Sequence, residues 1–71
     1  MIIVTRVATF DMTNAVAYPR KDGKSILFKV RQNNITIRIG VECTYQEFSL
    51  LLSKSENGVV NLCEWDTKVE R

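Results

Sequence analysis

The chain has 71 residues and contains no histidine, a single proline, three glycines and two cysteines. Each shortage excludes something. Without histidine the chain lacks the commonest general base, the usual partner in a catalytic triad and the commonest neutral metal ligand. Two thiols without an imidazole cannot complete the four ligands of a structural zinc site within one chain. The expectation is a non-enzymatic binding protein with no cofactor and no metal. Apolar runs such as Met1–Val4 and Leu50–Leu52 fall far short of the roughly 18 residues of a membrane span, so no membrane partner is expected. Met1–Val4 is followed by Thr5-Arg6, without the basic and sustained apolar regions of a secretory signal. The expected location is therefore cytoplasmic, where Cys43 and Cys63 remain thiols.

What is present argues for folding. Hydrophobic residues make up 45% of the chain and the net charge is only +2, which excludes the composition of a disordered segment. The length admits a single domain, residues 1–71. Its core must be compact or shared with a second copy, because so short a chain buries only about 60% of its surface.

Turn signals divide the chain. Residues 2–10, rich in Ile, Val and Thr, read as a first strand, although their apolar positions do not alternate. Asp11–Asn14 has turn character, and Ala15–Tyr18 reads as a second strand stopped by Pro19 at a sheet edge. Asp22-Gly23 is a two-residue hairpin signal of the type I′ kind. A third strand runs from about Ser25 to Gln32, Asn33-Asn34 forms a second tight turn, and Ile35–Val41 is a fourth strand. Thr44-Tyr45-Gln46-Glu47 matches a capping box and opens a helix with an apolar stripe at Tyr45, Phe48, Leu51 and Leu52. Asn57-Gly58 stops it. Val59 to about Trp65 reads as a last strand, followed by a charged tail, Asp66–Arg71. The expected fold is α+β: one small antiparallel sheet packed on one helix, in the order ββββαβ. Phe10 and Trp65 are expected in the core, and Cys43 as a small buried apolar residue.

The charges are unevenly placed. Residues 1–41 carry seven basic side chains and two acids, a balance of +5, whereas residues 42–71 carry three basic side chains and six acids, a balance of −3. Such asymmetry points to an anionic partner for the basic half. A two-residue turn at Asn33-Asn34 sets Lys29 opposite Arg38 and Arg31 opposite Thr36, with every apolar pair on the other face. Across the preceding turn, Arg20 falls beside Ser25, Tyr18 beside Leu27 and Val16 beside Lys29. The outer sheet face therefore gathers Lys29, Arg31, Arg38, Arg20 and Tyr18. Lysine and arginine neutralise phosphates, and tyrosine offers a stacking surface for an unpaired base. The competing reading is a solvated exterior that keeps the sheet soluble.

The segment Gly40–Leu52, in which Gly40-Val41 lead into a Thr44-capped helix carrying Glu47-Phe48 and paired leucines, resembles the transcriptional coactivator PC4-like family of single-stranded DNA-binding proteins. That resemblance implies a curved sheet whose basic and aromatic face binds single-stranded DNA in a homodimer, with Lys29, Arg31 and Arg38 on that face. The expected function is single-stranded nucleic-acid binding by a homodimer. The alternative is a small regulator or inhibitor, of the kind encoded by phages, that binds a host protein. A homodimer is also expected because one helix stripe covers only part of a sheet face.

Overall fold

The computed structural model describes every residue except Glu56 and Arg71. Among these, seven strands and one helix follow in the order β1 (Ile2–Val4), β2 (Thr9–Asp11), β3 (Ala15–Pro19), β4 (Ile26–Gln32), β5 (Ile35–Val41), α1 (Tyr45–Lys54), β6 (Val59–Asn61) and β7 (Thr67–Glu70), with a 3-10 turn at Met12–Asn14. The α+β class stands, but the expected single sheet is two. One has three strands in the order β2-β1-β6 and the other four in the order β3-β4-β5-β7.

The first difference lies at residues 2–10. Instead of one strand the segment is a tight hairpin, in which Ile3 faces Phe10 and Val4 faces Thr9. Thr5 makes the reversal: its hydroxyl accepts from the Val7 and Ala8 amides and donates to the Ala8 carbonyl. A serine or threonine hydroxyl that satisfies its own turn competes with strand continuation. The apolar positions fail to alternate because the chain turns back through them.

In the four-stranded sheet the register agrees with the apolar pattern, with Phe28 facing Ile39, Lys29 facing Arg38 and Arg31 facing Thr36. Asn33 and Asn34 both take positive φ, 50° and 64°, which matches the twist a two-residue hairpin needs. The preceding turn differs from the expected type I′ form, since only Gly23 has positive φ. The Gly23 amide donates to the Arg20 carbonyl, the Arg20 amide to the Ser25 carbonyl, and the Lys24 amide to the Asp22 carboxylate. Lys21–Lys24 thus form a four-residue loop. Two or four residues leave the same pairing, so Tyr18 still faces Leu27 and Val16 still faces Lys29.

The helix starts where its capping box does. The Thr44 hydroxyl accepts from the Glu47 amide at 3.1 Å, and the Glu47 carboxylate accepts from the Thr44 amide at 3.3 Å. It ends at Lys54, where the Ser55 amide bonds the Leu52 carbonyl, before the expected stop at Asn57-Gly58. Phe48 is buried, Leu51 and Leu52 are partly so, and Tyr45 stays half exposed. Phe28 sits between Phe10 and Phe48, at centroid distances of 5.4 and 5.3 Å. One apolar cluster therefore joins both sheets and the helix: Ile3, Phe10 and Val60 from one sheet, Ile26, Phe28 and Ile39 from the other, with Phe48. Each such side chain contributes roughly 1.5–3 kcal/mol by leaving water. Trp65 is only partly buried against this cluster. Cys43 is fully buried within it.

The C-terminal segment departs most from expectation. The strand expected to reach Trp65 ends at Asn61, paired parallel with β1. The Asn61 side chain accepts from the Cys63 amide, and the Trp65 amide bonds the Leu62 carbonyl, so the chain bends sharply after β6. Within the expected tail, Thr67–Glu70 forms β7 and pairs antiparallel with β5. Arg71, the last residue of that tail, lies outside the described residues. Charged residues at alternate positions hide such a strand from a hydrophobic pattern, because its partner β5 supplies the apolar surface.

Candidate nucleic-acid interface

Side chains alternate across a strand, so the four-stranded sheet has two chemically distinct faces. The inner face carries Ile26, Phe28, Val30, Ile39 and Val41, all buried. The outer face places Val16, Lys29, Arg38 and Glu70 in one row, and Tyr18, Leu27, Gly40 and Lys68 in the next. The β4–β5 hairpin extends it with Arg31 and Thr36. Four of the five residues expected at the site, Lys29, Arg31, Arg38 and Tyr18, lie together on this face. The fifth, Arg20, lies at the end of β3, beside Ser25.

Lys29 and Arg38 face each other as like charges, at a cost of a few tenths of a kcal/mol. One contact relieves it. The Lys29 ammonium lies 5.0 Å from the centroid of the Tyr18 ring, a cation–π contact worth about 0.5–1 kcal/mol at an exposed site. On its other side Arg38 has Glu70 as its ladder partner in β7. Arg31 and Arg38 are exposed and Tyr18 is 45% exposed, so the cations and one aromatic ring are open to solvent.

Arg20 is differently placed. Its guanidinium is ion-paired with the Glu70 carboxylate. A Cβ on Gly40 would meet that carboxylate and lie 3.2 Å from the Arg20 guanidinium. The bridge crosses the sheet over the one residue with no side chain to obstruct it, and Gly40 is buried beneath it. Arg6 is also committed: it donates to the Cys63 carbonyl at 2.6 Å, the Glu64 carbonyl at 3.1 Å and the Asp66 carboxylate at 2.7 Å. The ion pairs among the described residues are these two and the Met1 amino group with Asp11. Thus the acidic C-terminal part folds back onto the basic half and neutralises two of its arginines. The outer cations outside those pairs are Lys29, Arg31, Arg38 and Lys68.

At the Arg20 end of the face a cleft of about 700 Å³ is lined by Arg6, Arg20, Glu42, Asp66, Lys68 and Glu70, among others. Charges of both signs mix there, and both arginines are already paired within it. Among the described residues there is no group of three or more His, Cys, Asp or Glu able to hold a metal ion. No helix among them is long and apolar enough to cross a membrane. Sequence reasoning missed Lys68 and Glu70 as members of this face. The alternation Thr67-Lys68-Val69-Glu70 was the available signal, with period two and one apolar position. Searches against protein-family models, curated proteins and solved structures return no match to this chain.

Proposed function

We propose that the chain is a non-enzymatic protein that binds single-stranded nucleic acid on the outer face of its four-stranded sheet. The observation that carries this reading is the grouping of Lys29, Arg31 and Arg38 beside the exposed ring of Tyr18, with no carboxylate ion-paired to these cations among the described residues. The three cations contact successive phosphates, and Tyr18 stacks on an unpaired base. Arg20 lies at the margin of the surface, where its guanidinium is engaged by Glu70.

Fluorescence anisotropy with labelled single-stranded oligonucleotides at two salt concentrations tests this. Binding should weaken as salt rises, and Arg31→Ala/Arg38→Ala should reduce both the affinity and the salt slope, the slope by about one for each phosphate that is no longer neutralised. No binding at low salt defeats the proposal. The second reading, a regulator that docks on an acidic protein surface, draws on Val16, which is 52% exposed beside these cations. A stoichiometric host partner retained after nuclease treatment would favour it.

A further inference from the structure

The four-stranded sheet has two edges, and they are finished differently. In β3, Tyr18 and Arg20 turn their amides toward β4, so Ala15, Ala17 and Pro19 face outward. The Ala15 amide is taken by the Met12 carbonyl, and Pro19 has no amide to offer. Ala17 is left as the one outward amide of β3, so that edge offers a further strand a single donor.

Among the described residues the β7 edge has no neighbouring strand. The Glu42 amide donates to the directly opposite Asp66 carbonyl, which makes that pair a hydrogen-bonded one. Hydrogen-bonded and non-bonded pairs alternate in an antiparallel ladder, so Lys68 and Glu70 bond β5 while Thr67 and Val69 turn their N–H and C=O groups to the free edge. The Val69 side chain, on the inner face, is 51% exposed. It lies beside a corner of that face left uncovered by the helix, where Ile37 is partly buried and Ile35 is 62% exposed. An open edge bordered by exposed apolar residues is a surface for strand addition.

We propose that β7 pairs antiparallel with β7 of a second copy, about a two-fold axis at Val69, to form a continuous eight-stranded sheet. Charge selects both the occupant and the register. An axis at Val69 sets Lys68 opposite the partner's Glu70, and Glu70 opposite the partner's Lys68, on the outer face. It also sets Val69 against the partner's Val69 on the inner face. An axis at Lys68 keeps the same hydrogen-bonding parity but opposes two lysines. An identical strand supplies both charges in the required order, and the interface is isologous, as two-fold symmetry demands. The pairing does not depend on nucleic acid. It also joins the two outer faces into one surface.

Sedimentation of the protein alone over a range of concentrations tests this, together with Val69→Pro and Lys68→Glu. Proline at Val69 removes only an outward-facing donor, so β7 keeps its bonds to β5 and the far-UV circular dichroism is retained. The wild type should dimerise and Val69→Pro should sediment as a monomer. Lys68→Glu opposes two carboxylates at each of two symmetric positions and should weaken the dimer roughly tenfold. A wild type that stays monomeric at every concentration overturns the proposal. So does a Val69→Pro dimer of unchanged affinity, since it would use another face. Should Val69→Pro lose its folded signal, Lys68→Glu decides: an unchanged dimer constant overturns the pairing, and a weakened one supports it.

Discussion

Arg20 and Glu70, fifty positions apart in the chain, are ion-paired across the backbone of Gly40. The pair ties the two edge strands of the sheet, β3 and β7, over the central strands that carry the candidate interface. It also withdraws one arginine from a face that otherwise presents cations.

Removing the acid should therefore change binding more than folding. Both partners are partly exposed, and such pairs contribute about 0–1 kcal/mol, so Glu70→Gln should lower the urea-derived stability by less than about 1 kcal/mol. The released Arg20 then becomes available to a phosphate. Oligonucleotide affinity at low salt should rise, and the salt slope should steepen by up to about one. A slope identical to that of the wild type would show that Arg20 has no access to the ligand.

Arg6 is the clamp that returns the chain toward β7. Its three donors hold two carbonyls and one carboxylate of the 63–66 segment, in a fork that lysine cannot reproduce. With the side chain about half exposed, Arg6→Ala should cost about 1 kcal/mol, and Arg6→Lys should recover little of it. Hydrogen exchange should accelerate first at the amides of residues 62–70, ahead of those of β4. Uniform acceleration through the whole sheet would mean that the clamp supports the entire fold rather than this segment.

Cys43 precedes the helix cap, a position that can lower a thiol pKa, yet here the opposite holds. Burial and, secondarily, the nearby Glu47 carboxylate push the thiol up from 9.0 to about 11. The folded state therefore favours the protonated form. The corresponding stability is complete below pH 9 and declines as pH rises from there through about 11, because the unfolded thiol ionises first. At pH 8 a thiol reagent should modify Cys63, which is partly exposed, and leave Cys43 intact until denaturant is added. Equal rates at the two thiols in native buffer would contradict the burial of Cys43.

The amino-acid sequence by itself determined the parts governed by neighbouring residues. Thr44 and Glu47 lie three apart and satisfy each other's amides within one turn of helix. Asn33 and Asn34 tolerate positive φ, and the flanking apolar alternation admits only one register, so the outer placement of Lys29, Arg31 and Arg38 followed directly, while that of Tyr18 held because a four-residue loop leaves the same pairing as the expected two-residue turn. Tertiary structure alone decided the rest. Thr5 reversed a segment that reads as one strand, because a side-chain hydroxyl completed a turn whose partner strands pack on a distant core. Thr67–Glu70 became a strand only because β5 offered it an edge roughly 30 residues away. The charge asymmetry along the chain was legible, but its consequence was not. Electrostatic pairing depends on distance in space, and the fold brings Glu70 to Arg20 and Asp66 to Arg6, leaving Lys29, Arg31, Arg38 and Lys68 as the cations of the outer sheet face without an ion-paired acid among the described residues.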